Sequence, residues 1–350
     1  MKNTFIVWEP HTRSHADTVP GWTKYLLDMG CDVLAVVGSH RVNNGLFRYS
    51  HKNLRVIRMP QPLAKFWLKR KDFSDVAGIL VTSCEQLKRG KAKNQKPGYD
   101  EAYDYFKRAP RSKIFLISHD VRKEVDAGID TKNIITLDKI DYCGAQTVAA
   151  NPHYVGEVQK HGKNEITNFI TIGTLQGNRR NSRLLIESAQ KLHDAGLRNF
   201  KITAVGRNVK RFKVPNPLRG YFDLHNALGF GEMYEKIESA DFFLSLLDAD
   251  TDANHRYMTT GTSGNFQLMY GFAKPPLVAE KFAVKKSFDS KNAIVYKCNA
   301  DLAEAMRRAI LMRPKEYDSM RDALAATAKK IYKKSLKNLN AFIKSRSVDC

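Results

Sequence analysis

The chain has 350 residues, 43 % of them hydrophobic, and 58 lysines and arginines against 36 acids leave a net charge of +22. That length suffices for two domains, each with its own core, and no run approaches the roughly 18 apolar residues of a membrane span. The mean hydropathy of −0.44 is that of ordinary water-exposed protein, and the positive excess attracts something anionic: nucleic acid, a phosphorylated ligand or an acidic membrane surface.

Taken in order, Phe5-Ile6-Val7-Trp8 predicts a first strand, followed by a polar loop from Glu9 to His15. No signal peptide is evident before that strand. The five cysteines (Cys31, Cys84, Cys143, Cys298 and Cys350) are scattered and form no CxxC pair. They argue for a reducing compartment and against a disulfide framework or a zinc site, so a cytoplasmic protein is expected. A helix beginning near Pro20 carries Trp22, Tyr25, Leu26 and Met29 at three- and four-residue spacing and stops at Gly30, which suits a C-terminal cap. Asp32 to Gly38 and Leu54 to Ile57 read as buried parallel strands. This βαβ opening lacks GxGxxG, so it carries no dinucleotide fingerprint.

Between Pro60 and Lys113 lies the most basic part of the first half. Lys65, Phe66, Trp67, Lys69, Arg70 and Lys71 mix aromatics with cations, and Lys88, Arg89, Lys91, Lys93 and Lys96 form a second cluster. One reading is an interfacial anchor, with Phe66 and Trp67 entering the headgroup zone while the cations meet anionic lipid. The plainer one is a solvated helix face whose aromatics turn inward. Lys113 to Ser118 predicts a strand ending at His119-Asp120, where open α/β sheets place their chemistry; a capping or core histidine is the alternative. Gln146 to Pro152 reads as the last strand of this half and His153 to His161 as a short helix. The domain boundary falls near Gly162, giving segments 1–161 and 162–350.

The second half repeats strand, glycine, basic loop and helix. Phe169 to Ile172 stops at Gly173-Thr174, a loop holds Arg179 and Arg180, and a helix runs from Ser182 to Ala195. Phe200 to Val205 stops at Gly206-Arg207, and a basic loop continues to Arg219. A short helix from Glu232 leads to a strand from Asp241 to Leu247, then to a polar loop holding His255, Arg256, Ser263 and Gly264. Further elements are a helix from Asn265 to Gly271, a strand after Lys274-Pro275-Pro276, another from Asn292 to Tyr296, a helix capped by Asp301, and a lysine-rich helix from Lys315 almost to the end. Gly173 and Thr174 offer close backbone approach to a phosphate. Arg179, Arg180 or Arg207 suit bidentate neutralisation of a diphosphate. Ser263-Gly264-Asn265 opens a helix whose first N–H groups make a second anion site.

With these residues in view, the chain resembles a family. Ile170-Thr171-Ile172-Gly173-Thr174-Leu175 with Arg179-Arg180-Asn181, then Ala204-Val205-Gly206-Arg207, Gly229-Phe230-Gly231 with Met233-Tyr234-Glu235, Asp241 to Leu247, and Gly261 to Gln267 ending in Gly271 and Lys274-Pro275, are similar to the donor domain of GT-B glycosyltransferases. The likeness is to the retaining group related to glycogen and sucrose synthases (glycosyltransferase family 4-like), over roughly Asn168 to Met312; Phe115 to Asp120 looks like the strand-histidine segment near that group's catalytic centre. The resemblance implies an α/β fold of two Rossmann-like domains facing a central cleft, the first on the acceptor side and the second holding the donor, with C-terminal helices packing back toward the first. It implies a hexosyltransferase-type enzyme of surface polysaccharide or glycoconjugate synthesis, moving a sugar from a nucleotide-diphosphate sugar to a hydroxyl of a glycan or lipid-linked acceptor, with no metal or other cofactor required. His119 and Asp120 would then stand near the sugar, with His15 or Asp17 as base if the reaction inverts; a retaining reaction requires no such base, and the sequence does not decide between them. Donor contacts would come from Gly173, Thr174, Arg179, Arg180, Gly206, Arg207, His255, Arg256, Ser263, Gly264, Asn265 and Gln267. The family's two donor-loop glutamates have no counterpart: no glutamate occurs between Glu238 and Glu280, and Thr262 or Ser263 and Gln267 stand in their region. Asp250-Thr251-Asp252 has the D-x-D pattern of the other glycosyltransferase fold. The rival readings are an inactive nucleotide-binding module, another enzyme of this fold such as a nucleotide-sugar epimerase, and a basic nucleic-acid binder. The last lacks RNP, KH, zinc-finger and helix-turn-helix signatures, so no specific nucleic acid is expected.

Overall fold

The computed structural model describes residues 3–10, 15–38, 44–84, 106–175, 180–248 and 250–347. Arg179 and the cluster Lys88, Arg89, Lys91, Lys93 and Lys96 lie outside the described residues. Contacts divide the chain into two compact units: Met1–Glu157 with Thr259–Gln267 and Lys330–Cys350, and Val158–Met258 with Leu268–Lys329.

The first unit is built on a parallel sheet of β1 (Thr4–Trp8), β2 (Asp32–Val37), β3 (Leu54–Arg58), β4 (Gly78–Val81), β5 (Ile114–Ser118), β6 (Ile134–Thr136) and β7 (Val148–Ala149), in the order β3-β2-β1-β4-β5-β6-β7. Its central strands are buried on both faces: Ile6, Val7 and Trp8, Ile79 to Val81 and Ile114 to Ile117 have almost no exposed surface. Apolar side chains on both sides of a strand are what a parallel sheet covered by helices requires. The order reverses between β1 and β4, so their carboxyl ends flank a switch point, where such sheets leave a crevice. One face is covered by the Gln61–Arg70 helix, whose Ala64 and Leu68 join a core with Trp8, Phe73 and Phe106. The end of the Pro314–Ser347 helix also belongs to this unit. Tyr332 stacks on Tyr25 at 4.7 Å, the Asn151 N–H donates to the Ser335 hydroxyl at 2.9 Å, and the Phe342 ring meets Phe115 edge-on at 5.9 Å. The C-terminal helix therefore packs on the first unit, as the sequence led us to expect.

The second unit carries β8 (Thr167–Ile172), β9 (Phe200–Val205), β10 (Phe222–His225), β11 (Phe242–Leu244), β12 (Pro276–Ala279) and β13 (Ile294–Tyr296), all parallel, in the order β10-β9-β8-β11-β12-β13. Here the reversal lies between β8 and β11. Buried Asp241 ties the approach to β11 to that of β8, accepting the Asn168 and Asn164 N–H groups at 2.7 and 2.9 Å.

Two local expectations are corrected. The stretch from His153 to His161 is not helical, because Gly156, at φ 112°, pairs in parallel with Arg48. The polar loop expected to hold His255 and Arg256 contains the Asp252–Thr259 helix. Asp248 nucleates it: its carboxylate accepts the Asp250 N–H at 2.9 Å, and its carbonyl accepts the buried Asn254 amide at 3.1 Å. No helix among the described residues is long and apolar enough to cross a membrane.

Candidate functional site

In the first unit the chemistry gathers at the switch point. Glu9 follows β1, Thr82 and Ser83 follow β4, and His119 follows β5. The buried Glu9 carboxylate accepts hydrogen bonds from the Thr82 hydroxyl and, at 3.3 Å, from Ser83. His119 Nε2 lies 2.9 Å from the Thr82 carbonyl, to which it donates, and 3.3 Å from the Ser83 hydroxyl. That bond places the ring proton on Nε2. Burial pushes the His119 pKa down to about 4, against the weaker upward pulls of the Thr82 carbonyl and the Asp17 charge. The imidazole is therefore neutral near pH 7.

His15 and Asp17 come from the turn after β1. His15 holds a left-handed backbone, φ 69°, and its ring meets that of His119 edge-on with centroids 4.0 Å apart. A left-handed histidine costs on the order of 1 kcal/mol, a strain found where geometry serves function. The 259–264 segment completes the group. The Val121 N–H donates to the Thr260 carbonyl at 3.0 Å and the Asp141 N–H to the Thr259 carbonyl at 3.1 Å, while Asp120 and Gly261 form an antiparallel bridge. A Cβ on Gly261 would stand 2.3 Å from the His119 carbonyl oxygen, so no other residue admits this approach. The Gly264–Gly271 helix then begins beside Asp17: a Cβ on Gly264 would lie 3.4 Å from the Asp17 carboxylate. His15, Asp17, His119, Asp120, Ser263 and Gly264, drawn from three distant stretches of sequence, thus form one group.

The 259–267 segment also carries buried polar atoms without a partner in the protein. Gln267 is 3 % exposed, and neither its amide nitrogen nor its amide oxygen has a partner; the buried hydroxyls of Thr260 and Thr262 are also unpartnered. A buried amide without hydrogen bonds costs about 1–3 kcal/mol, which a polar ligand would recover.

In the second unit the glycine turns close on each other. The Gly173 N–H donates to the Val205 carbonyl at 2.7 Å, and the Gly206 N–H to the His225 carbonyl at 3.1 Å. A Cβ on Gly206 would stand 2.2 Å from the Gly173 carbonyl oxygen. Thr174 and Arg207 are exposed at the rim of these turns. Arg180 does something other than the sequence suggested. Its guanidinium is turned inward, donating to the Ser245 carbonyl at 2.7 Å and to the Ile172 carbonyl, so it braces the ends of β8 and β11 across the switch point. Burial lowers its pKa to about 10, which leaves it charged at neutral pH. Gly173, at φ 120°, is what admits it: a Cβ there would stand 2.5 Å from Arg180 Nη2.

Asn181 caps the Ser182–Asp194 helix, accepting the Leu184 N–H at 3.0 Å, and reaches Asp248 at 3.2 Å. Asp248 also accepts from Asn299 at 2.9 Å. This network seats the helix that carries His255, which is exposed, and Arg256, whose guanidinium bonds the Tyr257 hydroxyl at 2.8 Å. Ser263, Gly264, Asn265 and Gln267, grouped with these residues in the sequence reading, belong to the first unit. Asp250 of the D-x-D pattern pairs with Lys281, and among the described residues no cluster of three His, Cys, Asp or Glu is placed to hold a metal ion. Sequence reasoning passed over Glu9, Thr82 and Ser83, because the Gly78–Val81 strand that presents the last two is only four residues long.

No protein-family model and no curated protein matches the sequence. Solved structures do. The chain is similar to a sucrose-phosphate synthase from Thermosynechococcus elongatus, at 9 % identity and a TM-score of 0.58, over 99 % of this chain and 100 % of that one. It is also similar to AviGT4, a glycosyltransferase involved in avilamycin A biosynthesis, at 12 % identity and a TM-score of 0.55, over 96 % of this chain and 98 % of that one. At such identities the likeness is one of fold: two parallel α/β units, as in the GT-B glycosyltransferases.

Proposed function

We propose that the protein is a glycosyltransferase that moves a sugar, of hexosyl type, from a nucleotide-diphosphate sugar to a hydroxyl of a glycan or lipid-linked acceptor. The observation that carries this reading is the first-unit group: a helix start, a carboxylate and a neutral imidazole set together at a switch point, with a buried amide three residues into that helix. In this reading His119 acts as a neutral hydrogen-bond partner of the sugar. Asp17, beside the start of the Gly264–Gly271 helix, is the base. The acceptor oxygen bonds to the anomeric carbon, its proton passes to Asp17, and the bond to the diphosphate breaks, releasing the nucleoside diphosphate. The Ser263–Gly264 helix start offers N–H groups to developing negative charge, and Gln267 pairs with a donor hydroxyl. The second unit's turns at Gly173–Thr174 and Gly206–Arg207, with Arg256 and His255, are proposed as phosphate-binding elements, Arg180 acting as their brace. The nucleotide-sugar is the substrate and no further cofactor is invoked; the setting is cytoplasmic, at an acidic membrane face.

The test is incubation of the protein with a panel of nucleotide-sugars, following release of the nucleoside diphosphate and thermal stability together. A ligand specific to the native state raises stability by RT ln(1 + [L]/Kd), about 4 kcal/mol at a thousandfold excess over Kd. Stabilisation with turnover, both lost in Gln267→Leu and Asp17→Asn, is the expected result. Stabilisation without turnover on any acceptor would make the protein a nucleotide-binding module instead.

A further inference from the structure

We infer that the outer face of the Gln61–Arg70 helix docks on the surface of an anionic phospholipid bilayer. The helix turns Ala64 and Leu68 into the core and lays Trp67 against it, which fixes what faces outward. Leu63 and Phe66, 58 % and 57 % exposed, lie one turn apart on that face with Pro62 beside them. Lys65, Lys69 and Arg70 flank them, and the Arg70 guanidinium lies 3.6 Å from the centre of the Phe66 ring. The ten residues carry no acid. Of the aromatic pair read from the sequence, only Phe66 faces out; Trp67 belongs to the core side, and Leu63 takes its place in the exposed face.

Large apolar side chains fixed outward among cations call for a partner with an apolar layer beneath anionic groups. A protein partner would need a patch of about 800 Å², more than two side chains and a proline provide. A bilayer asks less: apolar tips at headgroup depth, with cations against phosphates. Ten helical residues span about 15 Å, half the hydrocarbon thickness, so the contact is superficial. The start of the helix is fixed to the catalytic end of the sheet. Gln61 accepts from the Trp8 indole at 3.3 Å and donates to the Glu9 carbonyl, and Glu9 holds Thr82 and Ser83 beside His119. Resting on the glycosyltransferase reading, the docked face would present this site to an acceptor carried in the bilayer.

The experiment is co-sedimentation of the full chain at low salt with vesicles of phosphatidylcholine mixed with phosphatidylglycerol, and with pure phosphatidylcholine. Binding to the mixed vesicles alone is expected. Lys69→Ala and Arg70→Ala should each weaken it by about fivefold; Leu63→Ser with Phe66→Ser should weaken it by roughly tenfold or more. All four positions are exposed, so the variants keep the wild-type far-ultraviolet circular dichroism. Failure to bind, equal binding to both vesicles, or binding indifferent to Leu63 and Phe66 overturns the inference. A concentration-dependent dimer in sedimentation velocity, dissolved by Phe66→Ser, would overturn it in favour of a second copy of the chain. Nucleotide-sugar stabilisation measured on the same samples separates the two readings: its presence without vesicle binding removes the docking face and leaves the transferase, and the converse leaves docking alone.

Discussion

A single added methyl tests the centre of the first unit. Gly261→Ala would press a Cβ to 2.3 Å from the His119 carbonyl oxygen, forcing the 259–264 segment off β5. Overpacking of this kind costs about 1–3 kcal/mol. A lowered melting temperature with a larger loss of ligand binding is expected, measured by thermal shift with and without nucleotide-sugar. Gln267→Leu should act in the opposite sense on the free protein. It removes an amide that has no partner, so the free protein should gain about 1 kcal/mol or more while the ligand-induced shift disappears. His119 has a pKa of about 4 in the fold against 6.5 unfolded. Between those values the unfolded chain takes up a proton that the fold refuses, so the stability His119 contributes is full above pH 6.5 and is lost as pH falls toward 4. Urea midpoints at pH 7 and pH 5 should fall further apart in the wild type than in His119→Gln. Equal differences would show that His119 is not the residue responsible.

At the scale of elements, the two switch points are closed by different devices. In the first unit Glu9 joins β1 to the residues after β4; in the second Arg180 joins the ends of β8 and β11. Arg180→Met should leave the Ser245 and Ile172 carbonyls without this donor, at about 1–3 kcal/mol each, and lower the melting temperature even without ligand. A variant as stable as wild type would contradict the bracing role. The long, strongly apolar strands were legible from sequence: β1, β2, β5, β8 and β9 announce themselves as continuous apolar runs. β4, β6 and β10, three or four residues each, were passed over, although the equally short β11 and β13 were read. The Asp252–Thr259 helix was hidden by its polarity, its start being set by Asp248 and Asn254 rather than by an apolar stripe.

For the whole molecule, the Pro314–Ser347 helix contributes its first turns to one unit and its last to the other. Ser335 is the point to probe, since its hydroxyl accepts the buried Asn151 N–H. Ser335→Ala should cost about 1–3 kcal/mol and Ser335→Thr less, read as unfolding of the first unit in chemical denaturation. The parallel α/β class followed from the sequence alone, since buried apolar strands alternating with amphipathic helices leave few other solutions. So did the strand-ending glycines at 173 and 206, and the positive charge. Which residues meet was settled only by tertiary structure. A parallel sheet brings together the ends of strands far apart in sequence, so Glu9, Thr82 and His119 become neighbours although nothing local links them. The same geometry turned Arg180 inward, sent Trp67 to the core and left Phe66 in the open, because a helix of ten residues has two faces and only the packing around it decides which one is covered.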